Sequence, residues 1–140
     1  MLVDTGVWYS IFDPRDTTVS QEDVQSLESR ISHFRIALPW PVAYETLRTR
    51  FVKNRLCIER FEQKLKSPLI EMVDDSSYRE RALELSIDSS LRGRRPLSMV
   101  DCIIRLMIDD PKIKIQSLAT YNIRDFADVC HRRHIEIISK

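Results

Sequence analysis

A chain of 140 residues is the size of one domain, and a domain of that size buries roughly 68–70% of its unfolded surface. Hydrophobic residues at 43% and charged residues at 31% exclude a chain too polar to build a core. Lys and Arg number 22 against 21 Asp and Glu, a net charge of +1, which excludes bulk attraction to nucleic acid and leaves only local patches to make such contacts.

Three cysteines, Cys57, Cys102 and Cys130, form no C-x-x-C pair and are odd in number. They predict reduced thiols in a cytoplasmic protein rather than a disulfide framework. No basic segment followed by a long apolar run opens the chain, and no apolar stretch approaches the length of a membrane span. With two glycines and six prolines, the chain has little to interrupt helices.

"MLV" reads as a short buried strand that delivers Asp4 and Thr5 to its end, and "VWYSIF" as a first helix broken at "DPRD". "SQEDVQSLESRI" starts with Ser20 and Asp23 in the S-x-x-D arrangement of a helix cap, and Val24, Leu27 and Ile31 share one face. "RIALPW" is a second strand ended by proline. Pro41 suits the first turn of the next helix, "PVAYETLRTRFV", where its missing N–H is not needed. "CIERFEQKLK" continues helically, with Ile58, Phe61 and Leu65 on one side. "PLIEMV" is a third strand, and "SYRERALELSIDSSL" another helix. A basic loop, "RGRRP", leads into "LSMVDCIIRLMI", where Ser98 and Asp101 repeat the capping signature. "IQSLAT" and "IEII" are the fourth and fifth strands. Strands alternating with helices predict one α/β domain over 1–140, a three-layer sandwich whose central, mostly parallel sheet has four to five strands flanked by helices.

Four acids stand at informative places. Asp4 follows the first strand, Glu45 lies in the first turns of the helix after the second, Asp101 opens the helix before the fourth, and Asp125 follows the fourth within "TYNIRDF". Ligands of open α/β sheets bind outside the carboxyl ends of the strands, so Asp4 and the "TYNIRD" segment are expected to share that edge. Taken singly, each acid also has an ordinary role: a turn acid at Asp4, a solvated acid near a helix start at Glu45, a capping acid at Asp101, a turn cap at Asp125. If they converge, two carboxylates ~4 Å apart repel by about 4 kcal/mol at an effective dielectric near 20. Such a cluster needs protons, basic partners or a hard cation, for which Mg²⁺ or Mn²⁺ is the natural choice.

"LVDT", "PVAYETL", "SMVDCII" and "LATYNIRDF", in that order across nearly the whole chain, resemble the PIN-domain family, and in particular the VapC-type toxins of toxin–antitoxin modules. The resemblance implies a PIN-like fold and a metal-dependent endoribonuclease that hydrolyses RNA phosphodiester bonds. It implies Mg²⁺ or Mn²⁺ held by Asp4, Glu45 and Asp101, with Asp125 as the fourth catalytic and metal-binding acid. Thr5, Thr120 and Asn122 are the supporting residues. A cognate antitoxin and a homodimer are the implied partners. The chain departs from the family pattern in two places. Some members carry an acid where this chain has Asn122, and the helix after Asp101 is bulky and contains Arg105 rather than being rich in alanine. The alternative is a PIN-like module that binds RNA or protein without cutting.

Other signals are weaker. Arg92, Arg94 and Arg95 of "RGRRP", and the "HRRH" run, are candidate contacts to RNA phosphate, with solvated loop charge as their more ordinary role. Cys130, His131 and His134 fall short of the ligand set of a structural zinc site. Trp8, Tyr9 and Phe12 offer a stacking surface, but the i, i+4 spacing of Trp8 and Phe12 predicts that these two pack inward or on a partner protein. Asp74 and Asp75 read as turn residues. Gly6 and Gly93 cannot make a dinucleotide-binding G-x-G-x-x-G loop, and a phosphoacceptor receiver domain wants paired acids after its first strand.

Overall fold

The computed structural model describes residues 1–13, 15–48 and 50–140. Five strands, β1 (Leu2–Val3), β2 (Ile36–Pro39), β3 (Ile70–Val73), β4 (Ser117–Ala119) and β5 (Glu136–Ile138), form one sheet in the order β3-β2-β1-β4-β5, with every neighbouring pair parallel. Seven α-helices are found among the described residues: α1 (Thr5–Phe12), α2 (Gln21–Ile31), α3 (Trp40–Leu47), α4 (Arg55–Leu65), α5 (Arg79–Leu91), α6 (Met99–Asp109) and α7 (Ile123–Arg132). The chain winds from β1 to β3 in one direction and from β3 through β4 to β5 in the other. Because parallel crossovers are right-handed, α1–α4 cover one face of the sheet and α5–α7 the other. Packing agrees with this division: α1 lies against α2, α3 and α4, while α6 lies between α5 and α7. The architecture is the expected three-layer α/β sandwich, with an all-parallel sheet.

Local chemistry explains most helix starts. Ser20 accepts from the Asp23 amide at 3.2 Å, and Asn54 accepts from the amides of Leu56 and Cys57. Pro41 lies in the first turn of α3. That helix stops at Leu47, earlier than its apolar pattern predicts, and a 3₁₀ turn (Arg50–Lys53) follows before α4. Pro14 in the expected "DPRD" break and Thr49 in the expected "PVAYETLRTRFV" helix lie outside the described residues. The largest difference is α7, which the sequence reading treats as the loop "TYNIRDF". Its buried side chains Phe126, Val129 and Cys130 repeat at three and one, and they dock on α6 and β5.

The core is continuous and rich in aromatics. Trp8 and Phe12 stack at 6.0 Å, and Phe61 meets both edge-on at 5.9 and 5.3 Å. Trp8 is fully buried, so it packs inward and offers no base-stacking surface. Cys57, Cys102 and Cys130 are buried free thiols. Among the described residues no helix is long and apolar enough to cross a membrane.

Candidate functional site

In an open parallel sheet the crevice for a ligand opens at the carboxyl ends of the strands, where the winding direction reverses. Here that point lies between β1 and β4, and the residues that follow those strands are Asp4 and Thr120. The Asp4 amide continues the ladder by donating to the Ala119 carbonyl at 2.9 Å. The Asp4 side chain caps α1, accepting from the Thr5 amide at 2.7 Å, and its other oxygen accepts from the Thr120 hydroxyl at 2.7 Å. Asp4 is only 8% exposed. Burial raises its pKa to about 6, the two hydrogen bonds oppose that rise, and the charges of Asp101 and Glu45 add to it.

Two of the other expected acids, Glu45 and Asp101, therefore lie close enough for their charges to act on Asp4. Glu45 comes from the second turn of α3, and its Oε2 accepts from the Thr5 hydroxyl at 2.6 Å. Thr5 and Thr120 are therefore the hydroxyls that bind two of the acids. Asp101 arrives from the first turn of α6. It completes a capping box, accepting from the Ser98 amide at 3.2 Å and the Ser98 hydroxyl at 2.7 Å. The capping role and the electrostatic contact with Asp4 coexist in the same side chain.

Asp125 sits differently. It lies in the first turn of α7, 7% exposed, and forms an ion pair with Arg95. The Asn122 side-chain amide donates to its second oxygen, while the Asn122 backbone amide donates to the Thr120 hydroxyl at 3.0 Å. A chain of hydrogen bonds thus runs from Asp4 through Thr120 and Asn122 to Asp125, and ends on an arginine.

Comparison with known proteins assigns no family. No family model matches the chain, and no curated protein matches it. The chemical reading of the site therefore rests on its own geometry.

The donor set fits a hard divalent cation in kind. It offers carboxylate oxygens, and the buried Asp4 carboxyl has a raised pKa that a nearby positive charge would lower. It is not a closed ligand shell as it stands: among the described residues no group of three or more His, Cys, Asp or Glu side chains is arranged to hold a metal ion. An ion at Asp4 would draw on a Glu45 carboxylate now bonded to Thr5 and an Asp101 carboxylate now bonded to Ser98. The Asp125 carboxylate already has a cation, the guanidinium of Arg95.

The basic loop divides by residue. Arg95 bridges to α7, donating also to the Arg124 carbonyl at 2.9 Å. Arg92 pairs with Asp88 at 2.6 Å, and Arg94 is exposed. Gly93 is required where the loop leaves α5, because a Cβ there would stand 2.6 Å from the Ser89 carbonyl oxygen. Arg105, the departure noted in α6, clamps α7. It bonds both Asp128 oxygens at 2.6 Å and the Asp125 carbonyl, and its hydrogen bond holds the Asp128 pKa down at about 2. Sequence reasoning found the Ser98 cap on Asp101 but missed Arg95 as the partner of Asp125. The S-x-x-D spacing signalled the cap; nothing in the order of residues signals the Arg95 pair. Asp75 is more than a turn residue: it is buried and holds Arg79 through two hydrogen bonds of 2.8 and 3.0 Å.

Proposed function

We propose that this chain is a small Mg²⁺- or Mn²⁺-dependent endoribonuclease of PIN-like type, the cytoplasmic toxin of a toxin–antitoxin pair. The observation that carries the reading is Asp4. It is a buried carboxyl at the reversal point of the sheet, with Glu45 and Asp101 close enough to raise its pKa. The order of the motifs along the chain supports the same reading. Asp4, Glu45 and Asp101 would hold the ion, which when bound supplies a Lewis acid and lowers the pKa of water at the scissile phosphate. The chain's own part is positional. Thr120 and the Thr5 amide fix the Asp4 carboxylate, and the Thr5 hydroxyl fixes Glu45. Asp125 enters this reading as the anchor for Arg95, whose charge faces the same hydrogen-bonded chain. The antitoxin and the homodimer belong to this proposal as the partners that the resemblance implies.

A second reading has one observation in its favour. Asp125 is neutralised by Arg95, as suits a PIN-like module that binds RNA or protein without cutting it. Purified protein incubated with RNA separates the two. Cleavage that appears with Mg²⁺, stops in chelator and falls below detection in Asp4→Asn supports the nuclease. Wild type and Asp4→Asn giving the same RNA pattern with and without Mg²⁺ overturns it.

A further inference from the structure

The opposite end of the sheet carries a second feature that the acids do not explain. A cleft of about 640 Å³ opens at the amino ends of the strands, lined among others by His33, Phe34, Arg35, Glu71, Lys112 and Lys114. Phe34 and Arg35 directly precede β2, and Lys112 and Lys114 belong to the segment that leads into β4. The site at Asp4 follows β1, so the cations of the cleft, which precede β2 and β4, and the acids lie toward opposite ends of the sheet.

The lining of this cleft gathers positive charge. Several arginines elsewhere are paired with acids: Arg30 with Glu136, Arg79 with Asp75, Arg105 with Asp128 and Arg132 with Asp109. Arg35, Lys112 and Lys114 are exposed and enter no ion pair among the described residues. Glu71 is the single acid in the cleft lining. Asp110, near enough to Lys112 to feel its charge, is already bonded to the Tyr78 hydroxyl at 2.6 Å. In a chain of net charge +1, this is a local concentration of positive charge. Between the cations stand half-buried apolar groups: Phe34, Ile113 and Ile115.

We propose that this cleft binds single-stranded nucleic acid, with Arg35, Lys112 and Lys114 on the phosphates and Phe34 against a base. Cations interleaved with an aromatic ring in a groove are what a flexible phosphodiester strand requires, since every base has a face to stack and every linkage a charge to neutralise. An acidic peptide would use the cations but has no need of the ring. If the nuclease reading also holds, the cleft grips a strand at the pole remote from the point of cutting.

The test is fluorescence anisotropy on the full chain in EDTA, so that binding is read without cleavage and the outcome is independent of the nuclease reading. The probes are a labelled single-stranded RNA, its DNA counterpart and a poly-glutamate peptide. Arg35→Ala/Lys112→Ala/Lys114→Ala should weaken RNA binding about tenfold or more at low salt. It should also reduce the slope of log affinity against log salt by about 2, three contacts at about 0.7 each. Phe34→Leu, which keeps an apolar side chain in the fold but removes the ring, should weaken binding about fivefold. Thermal melts of both variants serve as the check on folding. The DNA arm decides whether the sugar contributes; equal affinity for both strands leaves a phosphate-and-stacking site. A triple variant that melts like wild type and binds RNA like wild type overturns the proposal. So does poly-glutamate binding as tight as RNA with no effect of Phe34→Leu, which would make the cleft a site for an acidic protein.

Discussion

Above a pH of about 6 the Asp4 carboxyl is ionised while buried and under the charges of two other acids, and the fold bears that cost. The sign follows from the shift. The native pKa lies above the ordinary carboxylate value, so between the two the native state binds more protons than the unfolded chain, and stability falls as pH rises through that window. A shift of about two units corresponds to roughly 1–3 kcal/mol once residual solvent and relaxation are allowed for. Asp4→Asn keeps the shape and removes the charge. Its amide oxygen accepts from the Thr5 amide, and its NH₂ meets the Thr120 hydroxyl. The variant should therefore be more stable than wild type at pH 7.5, by about 1–2 kcal/mol in urea unfolding, and the difference should shrink toward pH 4. A variant less stable than wild type at pH 7.5 would show that Asp4 is held by favourable bonds outweighing its repulsion. Asp4 was legible because a strand of apolar residues ends on it. Its neighbours were less so: Glu45 and Asp101 lie 41 and 97 positions away in the chain, and only the topology places their charges near it.

Helix α6 shows how one residue can serve an element and a site together. Ser98 accepts from the Asp101 amide at 3.0 Å and donates to its carboxylate, closing the capping box at the N-terminus of the helix. Replacing it with alanine removes the cap and should cost about 1 kcal/mol, a fall in melting temperature of about 4 °C. The same change frees the Asp101 carboxylate from the serine hydroxyl. In the nuclease reading, Ser98→Ala should therefore lose stability without losing cleavage, whereas Asp101→Ala loses both. Equal loss of cleavage in the two variants would mean that the cap positions Asp101 for the site. The capping spacing in "SMVD" made this helix start readable, just as "SQED" did for α2. Helix α7 went unread because "TYNIRDF" begins without a side-chain cap and its first turn holds both Arg124 and Asp125. Its apolar repeat, Phe126, Val129 and Cys130, is short and is buried only through docking on α6 and β5. The Arg95 to Asp125 pair was unreadable for a related reason: it joins a loop after α5 to a helix that the local pattern did not announce.

At the scale of the whole molecule, the reversal of winding between β1 and β4 gathers the acids at one end of the sheet, while the lead-ins to the strands gather cations at the other. That separation makes ion binding at the acidic pole readable as global stability, because an ion that prefers the native arrangement raises the cost of unfolding the whole domain. At ten times its dissociation constant, a ligand bound only by the native state contributes RT ln 11, about 1.4 kcal/mol, or a rise of about 5 °C for a domain of this size. Mg²⁺ should thus raise the melting temperature of wild type at pH 7.5, and chelator should reverse the rise. At pH 5 the effect should shrink, since Asp4, with its pKa raised to about 6, then holds a proton that the ion must displace. Asp4→Asn should show a much smaller rise at either pH. The triple variant of Arg35, Lys112 and Lys114 should respond like wild type, because its changes lie at the far pole. A wild-type melting temperature indifferent to Mg²⁺ at pH 7.5, or a rise that survives intact in Asp4→Asn, would remove the acidic pole as the place where the ion binds.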